Sequence, residues 1–359
     1  MKKKCIHIIH DDKFTKGYID FLSKNNFNWD HIVFSYGNIV EPIDTPSLKV
    51  ILVKDCYEIY KIYKSLLLEC DRVIFSGFFD KSARLFYMPK NIWSKTYIQF
   101  WGGDIYRFKQ RKNDFISNLK LQIMKNIVRN CIVKCNKVLL MVDHDYDVLK
   151  SIFNINSKSY YILQVPADFY EINHIDFSNI INNYNEKPAK YCILVGNSAT
   201  IENQHKEIFD ILKDKITDDF KIIVPLSYGD ENYKQEIIKY GEKCFGNSFM
   251  PILKYLTIEE YVGLLSCCDV ALFNNNRQQA MGNIVLLANL KKKIYIRNDT
   301  SLWNYYKELG LIFNDINTLK KETLNEILMT NTQNVNNNIE CLRKLEKLSF
   351  SQWENFFNN

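Results

Sequence analysis

Short apolar runs alternate with segments of helical period along this chain, and the alternation is interrupted once. In the first half the runs are 5–10, 31–35, 50–53, 72–76, 96–100, 138–142 and 160–165. Between them 18–23, 58–68 and 114–135 repeat apolar residues at helical spacing, as in Ile59, Ile62, Tyr63, Leu66 and Leu67. Strands alternating with helices predict an α/β fold, a mainly parallel sheet with helices on both faces. Residues 166–188 break the pattern. They contain Asn182-Asn183-Tyr184-Asn185-Glu186-Lys187-Pro188 and few apolar residues, which is the composition of a linker. The same grammar then restarts. Strands are expected at 191–195, 221–225, 249–253, 270–273 and 294–297, with helices at 204–215, 231–240, 257–266, 283–290 and 302–309. The expected organisation is two Rossmann-like doubly wound domains, 1–165 and 189–335, facing across a cleft, with a helical tail at 336–359.

A chain of 359 residues suits two such cores, and 47% hydrophobic with 25% charged residues is ordinary for a globular protein. The ten cysteines form no CxxC pair and no Cys/His cluster at zinc spacing, so no metal is expected and a reducing compartment fits. The apolar run after Met1-Lys2-Lys3-Lys4 is too short for a signal peptide, and no stretch approaches the ~18 apolar residues of a spanning helix. The net charge of +6 is concentrated. Between residues 105 and 137 lie Arg107, Lys109, Arg111, Lys112, Lys120, Lys125, Arg129, Lys134 and Lys137, and the only acid there is Asp114. Such a cluster calls for an anionic partner. The helix it includes reads either as a buried helix with solvated lysines or as a surface for anionic lipid. Nucleic acid is not expected, since no binding-module signature or aromatic stacking platform is present.

Doubly wound sheets bind ligands beyond the carboxyl ends of their strands, which makes the turn residues the candidates. Strand 191–195 runs into Gly196-Asn197-Ser198, and a helix begins near Asn203. Uncapped N–H groups at a helix start attract anions, so this turn is a candidate diphosphate site; the plain alternative is a turn whose polar side chains only cap the backbone. Two other strand ends carry Pro225-Leu226-Ser227-Tyr228-Gly229 and Asn276-Arg277-Gln278-Gln279, the latter followed by Gly282 and Asn283. Arg277 is the one basic residue of the set. Its guanidinium fork would match a phosphate, or it would lie on the surface or pair with Asp269. Gln278 and Gln279 suit a base, a ribose or sugar hydroxyls, or else face solvent. Gly282 would let a backbone approach a ligand or start the helix tightly. His205 would donate to a phosphate or be an ordinary helix residue, and Tyr233 would stack on a base or be structural. The sequence lacks GxGxxG and GxxxxGK[ST], which disfavours a hydride-transfer cofactor and a P-loop, and no cofactor is expected.

In the first half, Trp101-Gly102-Gly103-Asp104 follows strand 96–100. Asp104 is a candidate general base at a strand end, with a plain cap of the next segment as the alternative. Gly77, in Ser76-Gly77-Phe78-Phe79, suits an acceptor-side turn with Trp101, Gly102 and Gly103. Asp143, in Asp143-His144-Asp145, reads as a helix cap rather than as part of a metal motif.

At these residues the sequence resembles a known family. It is similar to the transferases that move 4-acetamido-4,6-dideoxygalactose (Fuc4NAc) from its dTDP-sugar to an undecaprenyl-diphosphate-linked disaccharide in enterobacterial common antigen synthesis. The resemblance lies in Trp101-Gly102-Gly103-Asp104-Ile105-Tyr106, in Leu194 to Ser198 with Asn203 and His205, in Val224-Pro225 with Tyr228, in Arg277-Gln278-Gln279 with Gly282, and in Trp303. It implies a GT-B-like glycosyltransferase, peripheral at the cytoplasmic face of a bacterial inner membrane. It implies that the second half binds the dTDP-sugar and the first half meets a lipid-linked saccharide. On that reading Arg277 and N–H groups near Ser198 and Gly282 would stabilise the leaving diphosphate, and Asp104 would take the acceptor's proton. Rival expectations are a nucleotide-sugar epimerase on the same scaffold and a non-catalytic protein that binds lipid or nucleic acid.

Overall fold

The computed structural model describes residues 2–10, 15–36, 44–109, 114–156, 158–164 and 188–358. The expected linker, 166–188, therefore falls almost wholly outside the described residues. The chain divides into two compact units, residues 1–173 together with 346–359, and residues 174–345.

The first unit is built on eight strands: β1 Lys3–His10, β2 Trp29–Tyr36, β3 Asp44–Thr45, β4 Leu48–Val53, β5 Arg72–Ser76, β6 Thr96–Gln99, β7 Lys137–Leu140 and β8 Tyr160–Ile162. Their order is β3-β4-β2-β1-β5-β6-β7-β8. Every neighbouring pair is parallel except β3 with β4. Side chains alternate between two apolar clusters, one per face, as the two-residue period of a strand requires. Ile6, Ile8, Val73, Phe75, Val138 and Leu140 enter one cluster, while Cys5, Ile9, Ile74 and Leu139 enter the other. Helix Thr15–Asn25 covers the second face with Tyr18, Ile19, Phe21 and Leu22.

On that second face the register of β1 against β2 sets Cys5 beside His31, and His7 lies two residues along. Potential ligand atoms of Cys5, His7 and His31 lie within 4.8 Å of one another, a grouping that spacing along the sequence does not reveal. The imidazoles are already engaged. His7 Nδ1 is 2.7 Å from the Tyr18 hydroxyl, His7 Nε2 is 2.9 Å from His31 Nδ1, and His31 Nε2 is 2.8 Å from the Asn26 carbonyl. A carbonyl only accepts, so His31 Nε2–H donates, His31 Nδ1 accepts from His7 Nε2–H, and His7 Nδ1 accepts from Tyr18. This directed chain satisfies both neutral rings, and burial lowers both histidines' pKa values, His31 to about 4.

Of the expected tail, 336–359, residues 336–358 belong to helix Thr332–Asn358, whose final turns complete the second-face core of the first unit. Trp353, Phe356 and Phe357 are buried there. Trp29 Nε1 donates to the Phe357 carbonyl at 2.9 Å, and Trp353 Nε1 donates to the Gln164 carbonyl at 2.9 Å. The Arg72 guanidinium donates to the Phe356 carbonyl and lies 4.8 Å from the ring centroids of both Trp29 and Phe356. A cation held on the last carbonyls of a helix both caps them and opposes the negative end of the helix dipole.

The described residues of the second unit form a six-stranded sheet: β9 Tyr191–Val195, β10 Phe220–Pro225, β11 Phe249–Ile252, β12 Val270–Phe273, β13 Lys293–Ile296 and β14 Asn314–Asp315. All neighbouring pairs are parallel, in the order β11-β10-β9-β12-β13-β14. The chain thus winds outward from β9 in one direction, then returns to β12 and winds outward in the other. That reversal is the hallmark of the Rossmann-type sheet, and it leaves a crevice at the carboxyl ends of β9 and β12. Helix Ile258–Cys267 starts with the capping box expected from Thr257 and Glu260.

Candidate active site

Two polar turns meet at the reversal point, 196–199 after β9 and 274–280 after β12. Asn203 organises the first. Its Oδ1 accepts from the Asn197 backbone N–H at 2.9 Å, and its Nδ2 donates to Thr200 Oγ1 at 2.9 Å and Ser198 Oγ at 3.2 Å. Gln279 reaches across from the second turn, donating from Nε2 to Ser198 Oγ at 3.0 Å and Thr200 Oγ1 at 3.2 Å. Asn275 adds a further link to Asn197 Oδ1 at 3.4 Å. The turn after β10 joins through Tyr228, whose hydroxyl accepts from Asn197 Nδ2 at 3.0 Å and whose carbonyl accepts from Ala199 N–H at 2.7 Å. Three strand-end turns that are far apart in sequence thus form one hydrogen-bonded cluster. Asn197, Ser198, Asn203 and Asn275 are buried in it, and two of its oxygens, Asn275 Oδ1 and Gln279 Oε1, are buried without a protein donor.

Two glycines permit this approach. Gly229 has φ +126°, and a Cβ there would lie 2.2 Å from the Ala199 carbonyl oxygen. Gly196 has φ +70°, and a Cβ there would lie 2.5 Å from His205 Nε2 and 2.8 Å from Asn203 Oδ1. Both are close backbone approaches that any side chain would prevent.

Each remaining second-half candidate has a definite place. Pro225 ends β10 and is buried. Gly282 and Asn283 lie in the first turn of helix Met281–Asn289, which no side chain caps, while the Asn283 side chain hydrogen-bonds the half-buried Tyr261. Gln278 is buried and donates to Met281 Sδ at 2.7 Å, so it does not face solvent. Arg277 does not pair with Asp269, which instead accepts from the Cys192 N–H at 2.8 Å. Arg277 Nε lies 3.4 Å from Glu202 Oε1, and its NH1 donates to the Gln278 carbonyl at 2.9 Å. The guanidinium is thereby aimed by Glu202 rather than left swinging on the surface. His205 is fully buried beneath Gly196, with Nδ1 3.2 Å from the Tyr233 hydroxyl and Nε2 lacking a protein partner. Burial depresses its pKa to about 3, so it is neutral at physiological pH and supports the turn instead of offering a cation. Tyr233 packs its hydroxyl on His205, which makes it part of this support rather than an open stacking surface.

In the first unit, β5 and β6 are parallel neighbours, with Ser76 opposite Gln99, so the turns after them lie side by side. Asp104 joins these turns. Its Oδ2 accepts from Phe78 N–H at 2.8 Å and its Oδ1 from Trp101 N–H at 2.9 Å. The carboxyl is completely buried, and burial raises its pKa to about 6 against the pull of those two N–H groups and Arg107. This geometry makes Asp104 a staple between the two turns. Each oxygen of Asp104 takes one backbone donor out of contact with solvent and keeps a second lone pair. Around it, Gly77 leads from β5 into Phe78, Gly102 and Gly103 open the short helix Gly103–Tyr106, and Trp101 Nε1 donates to Ser76 Oγ at 3.2 Å. Tyr106 donates to the buried Asp145 at 2.7 Å. Asp143 is not the helix cap it was expected to be: His144 holds that position, and Asp143 accepts from the Tyr160 hydroxyl at 2.8 Å.

Comparison with known proteins places these features in a group. Residues 69–340 match the model of the 4-alpha-L-fucosyltransferase family, glycosyl transferase group 56. Among solved structures the chain is similar to an alpha,alpha-trehalose 6-phosphate synthase from Burkholderia multivorans, with 8% identity, TM-score 0.68, and coverage of 99% of this chain and 97% of that one. It is likewise similar to a trehalose-6-phosphate protein from E. coli bound with UDP-2-fluoro glucose, at 9% identity and TM-score 0.59 over 99% and 97% of the two chains. A glycosyltransferase from Rickettsia africae ESF-5 matches at 12% identity and TM-score 0.59, with 99% of each chain covered. At such identities the likeness is one of fold: an α/β chain of two Rossmann-type units, the GT-B architecture.

Proposed function

Because the chain belongs to the group 56 glycosyltransferase family and is a glycosyltransferase of GT-B fold, we propose that it transfers an acetamido-dideoxyhexosyl group from a dTDP-sugar to a polyprenyl-diphosphate-linked saccharide. The cluster at the carboxyl ends of β9 and β12 carries the proposal. It joins Asn197, Ser198, Asn203, Asn275 and Gln279 to an uncapped helix start at Met281. Hydroxyls, amides and helix N–H groups are the groups that hold a diphosphate and its sugar. Arg277 would add the charge. As the bond from the anomeric carbon to the diphosphate oxygen breaks, negative charge grows on that oxygen, and a pre-aimed guanidinium stabilises it without reorganising. The acceptor hydroxyl oxygen forms the new bond to the anomeric carbon and gives up its proton. Asp104 holds the turns on the acceptor side, with Gly77, Trp101, Gly102 and Gly103, and is the candidate to accept that proton. The acceptor's lipid places the enzyme at the cytoplasmic face of the inner membrane.

The test is thermal unfolding against dTDP, UDP, GDP and CMP, followed by transfer from the dTDP-sugar to a detergent-dispersed lipid-linked saccharide. A ligand at 100 times its dissociation constant stabilises the folded state by about 2.7 kcal/mol. Selective stabilisation by dTDP with acceptor-dependent release of dTDP is the expected result. Stabilisation by another nucleotide alone would replace the donor assignment, and dTDP-sugar consumption without acceptor would replace the reaction.

A further inference from the structure

Helix Phe115–Lys134 of the first unit has two apolar faces, and only one is covered. At about 100° per residue, Val128, Cys131 and Ile132 point to one side, where they are buried in the core. Phe115, Ile116, Leu119 and Ile123 fall within an arc of about 100° on the opposite side. They are 81%, 64%, 51% and 52% exposed, in a protein whose large apolar residues are mostly buried. Scattered exposed apolar residues need no explanation, but a contiguous ridge marks an interaction surface.

Charge indicates what that surface meets. The exposed Lys120 lies about 40° beyond one edge of the ridge and the half-buried Lys125 about 80° beyond the other, and residues 115–134 contain no acid. The one acid in the wider segment, Asp114, is engaged at the helix start, where its carboxylate accepts from Ser117 N–H at 2.7 Å. An apolar ridge between cations, with no negative charge on the helix, complements a negatively charged amphiphilic surface. None of the described helices is long and apolar enough to cross a membrane. The ridge therefore suits a helix lying in the plane of the lipid headgroups, with its apolar side chains dipped into the acyl boundary and its lysines among the phosphates.

We propose that Phe115, Ile116, Leu119 and Ile123 are the membrane anchor of this enzyme and that Lys120 and Lys125 select anionic lipid. The proposal rests on the reading that the acceptor is lipid-borne, and it names the helix that meets the lipid. It requires no change in the fold, because every residue of the ridge already projects outward.

The experiment is co-sedimentation of the full chain with vesicles of phosphatidylcholine alone and of phosphatidylcholine with phosphatidylglycerol, with no sugar donor present. The wild type is expected to bind the anionic vesicles and to leave the neutral ones largely in solution. The triple variant Phe115→Ser, Leu119→Ser, Ile123→Ser should lower the partition coefficient roughly 50-fold or more. The pair Lys120→Ala, Lys125→Ala should lower it roughly tenfold or more on anionic vesicles, and the loss should shrink as salt rises. The same variants are measured for thermal stabilisation by dTDP, which should equal that of the wild type. Failure of the wild type to bind either vesicle, or undiminished binding by the triple variant, overturns the anchor. A concentration-dependent dimer that the triple variant abolishes, with no vesicle binding, also overturns it, since the ridge then covers a second copy. Lost dTDP stabilisation in the wild type would instead count against the donor assignment, so the two readings fail separately.

Discussion

Replacing Asp104 by Asn separates a structural staple from a catalytic base. The carboxylate takes one backbone N–H on each oxygen, from Phe78 and Trp101. An amide of the same shape keeps one oxygen and turns an NH2 group toward the other N–H, so one buried donor loses its acceptor. That costs about 1–3 kcal/mol. The penalty also has a pH signature. Burial raises the Asp104 pKa from 3.8 to about 6. Between those values the folded chain holds a proton that the unfolded chain has released, so the group's contribution is fully present below 3.8 and is lost as pH rises through about 6. Moving from pH 7.5 to pH 5 should thus stabilise the wild type by about 1.4 kcal/mol through this one group, a gain that Asn cannot make. Urea unfolding of both proteins at the two pH values measures it. The Asn variant should be less stable at pH 7.5, and the gap should widen at pH 5. If Asp104→Asn keeps wild-type stability at both pH values while glycosyl transfer collapses, the staple account is wrong and the carboxylate serves the chemistry alone.

Other perturbations probe the same geometry. Arg277→Ala should cost roughly 2–4 kcal/mol of transition-state stabilisation in transfer, and unchanged turnover would remove the guanidinium from the mechanism. Gly229→Ala puts a methyl group 2.2 Å from the Ala199 carbonyl at φ +126°, and a loss of about 3 kcal/mol or more in denaturant unfolding is expected. His205 is held neutral with a pKa near 3 while the unfolded chain protonates near 6.5. Below pH 6.5 the unfolded state binds the extra proton, so its stabilising contribution is complete above 6.5 and is lost as pH falls toward 3. His205→Gln should flatten that acid limb of the urea midpoint, and an unchanged limb would argue against it.

Much of this was legible from residues alone. The central strands are apolar runs bounded by Gly, Pro or Asn, and their alternation with helices specifies a doubly wound sheet. Strands β3 and β14 were not legible, because two residues carry no period. The segment 58–68, read as one helix, is two, Cys56–Ile62 and Lys64–Glu69, meeting at Tyr63. At the donor side, Gly196, Ser198, Asn203, Tyr228 and Gln279 stand out in the sequence because each lies shortly beyond the end of an apolar strand. Asn275 sat unremarked in the run Asn274-Asn275-Asn276, and its position directly after β12 was the available signal. Asp104 stands out in the sequence, but its role as a staple does not. A sequence shows a carboxylate in a strand-end turn; only the pairing of β5 with β6 shows whose N–H groups are waiting for it. The Cys5–His7–His31 group was hidden for the same reason, since strand register and not spacing brings it together.

The docking of residues 346–358 onto the first sheet sets an order of events during synthesis. Arg72 and Trp29 emerge early, yet the carbonyls they hold belong to Phe356 and Phe357, which leave the ribosome only after the whole second unit. Until then helix Thr15–Asn25 covers only part of one face of the first sheet, and the ground beneath Trp353, Phe356 and Phe357 is bare. The second unit, contiguous in sequence, can close as it emerges, whereas the first must wait. Emergence of residues 346–358 is therefore a folding step for this protein. A nascent chain stalled before residue 346 should carry a protease-resistant second unit beside a first unit that is still open to cleavage.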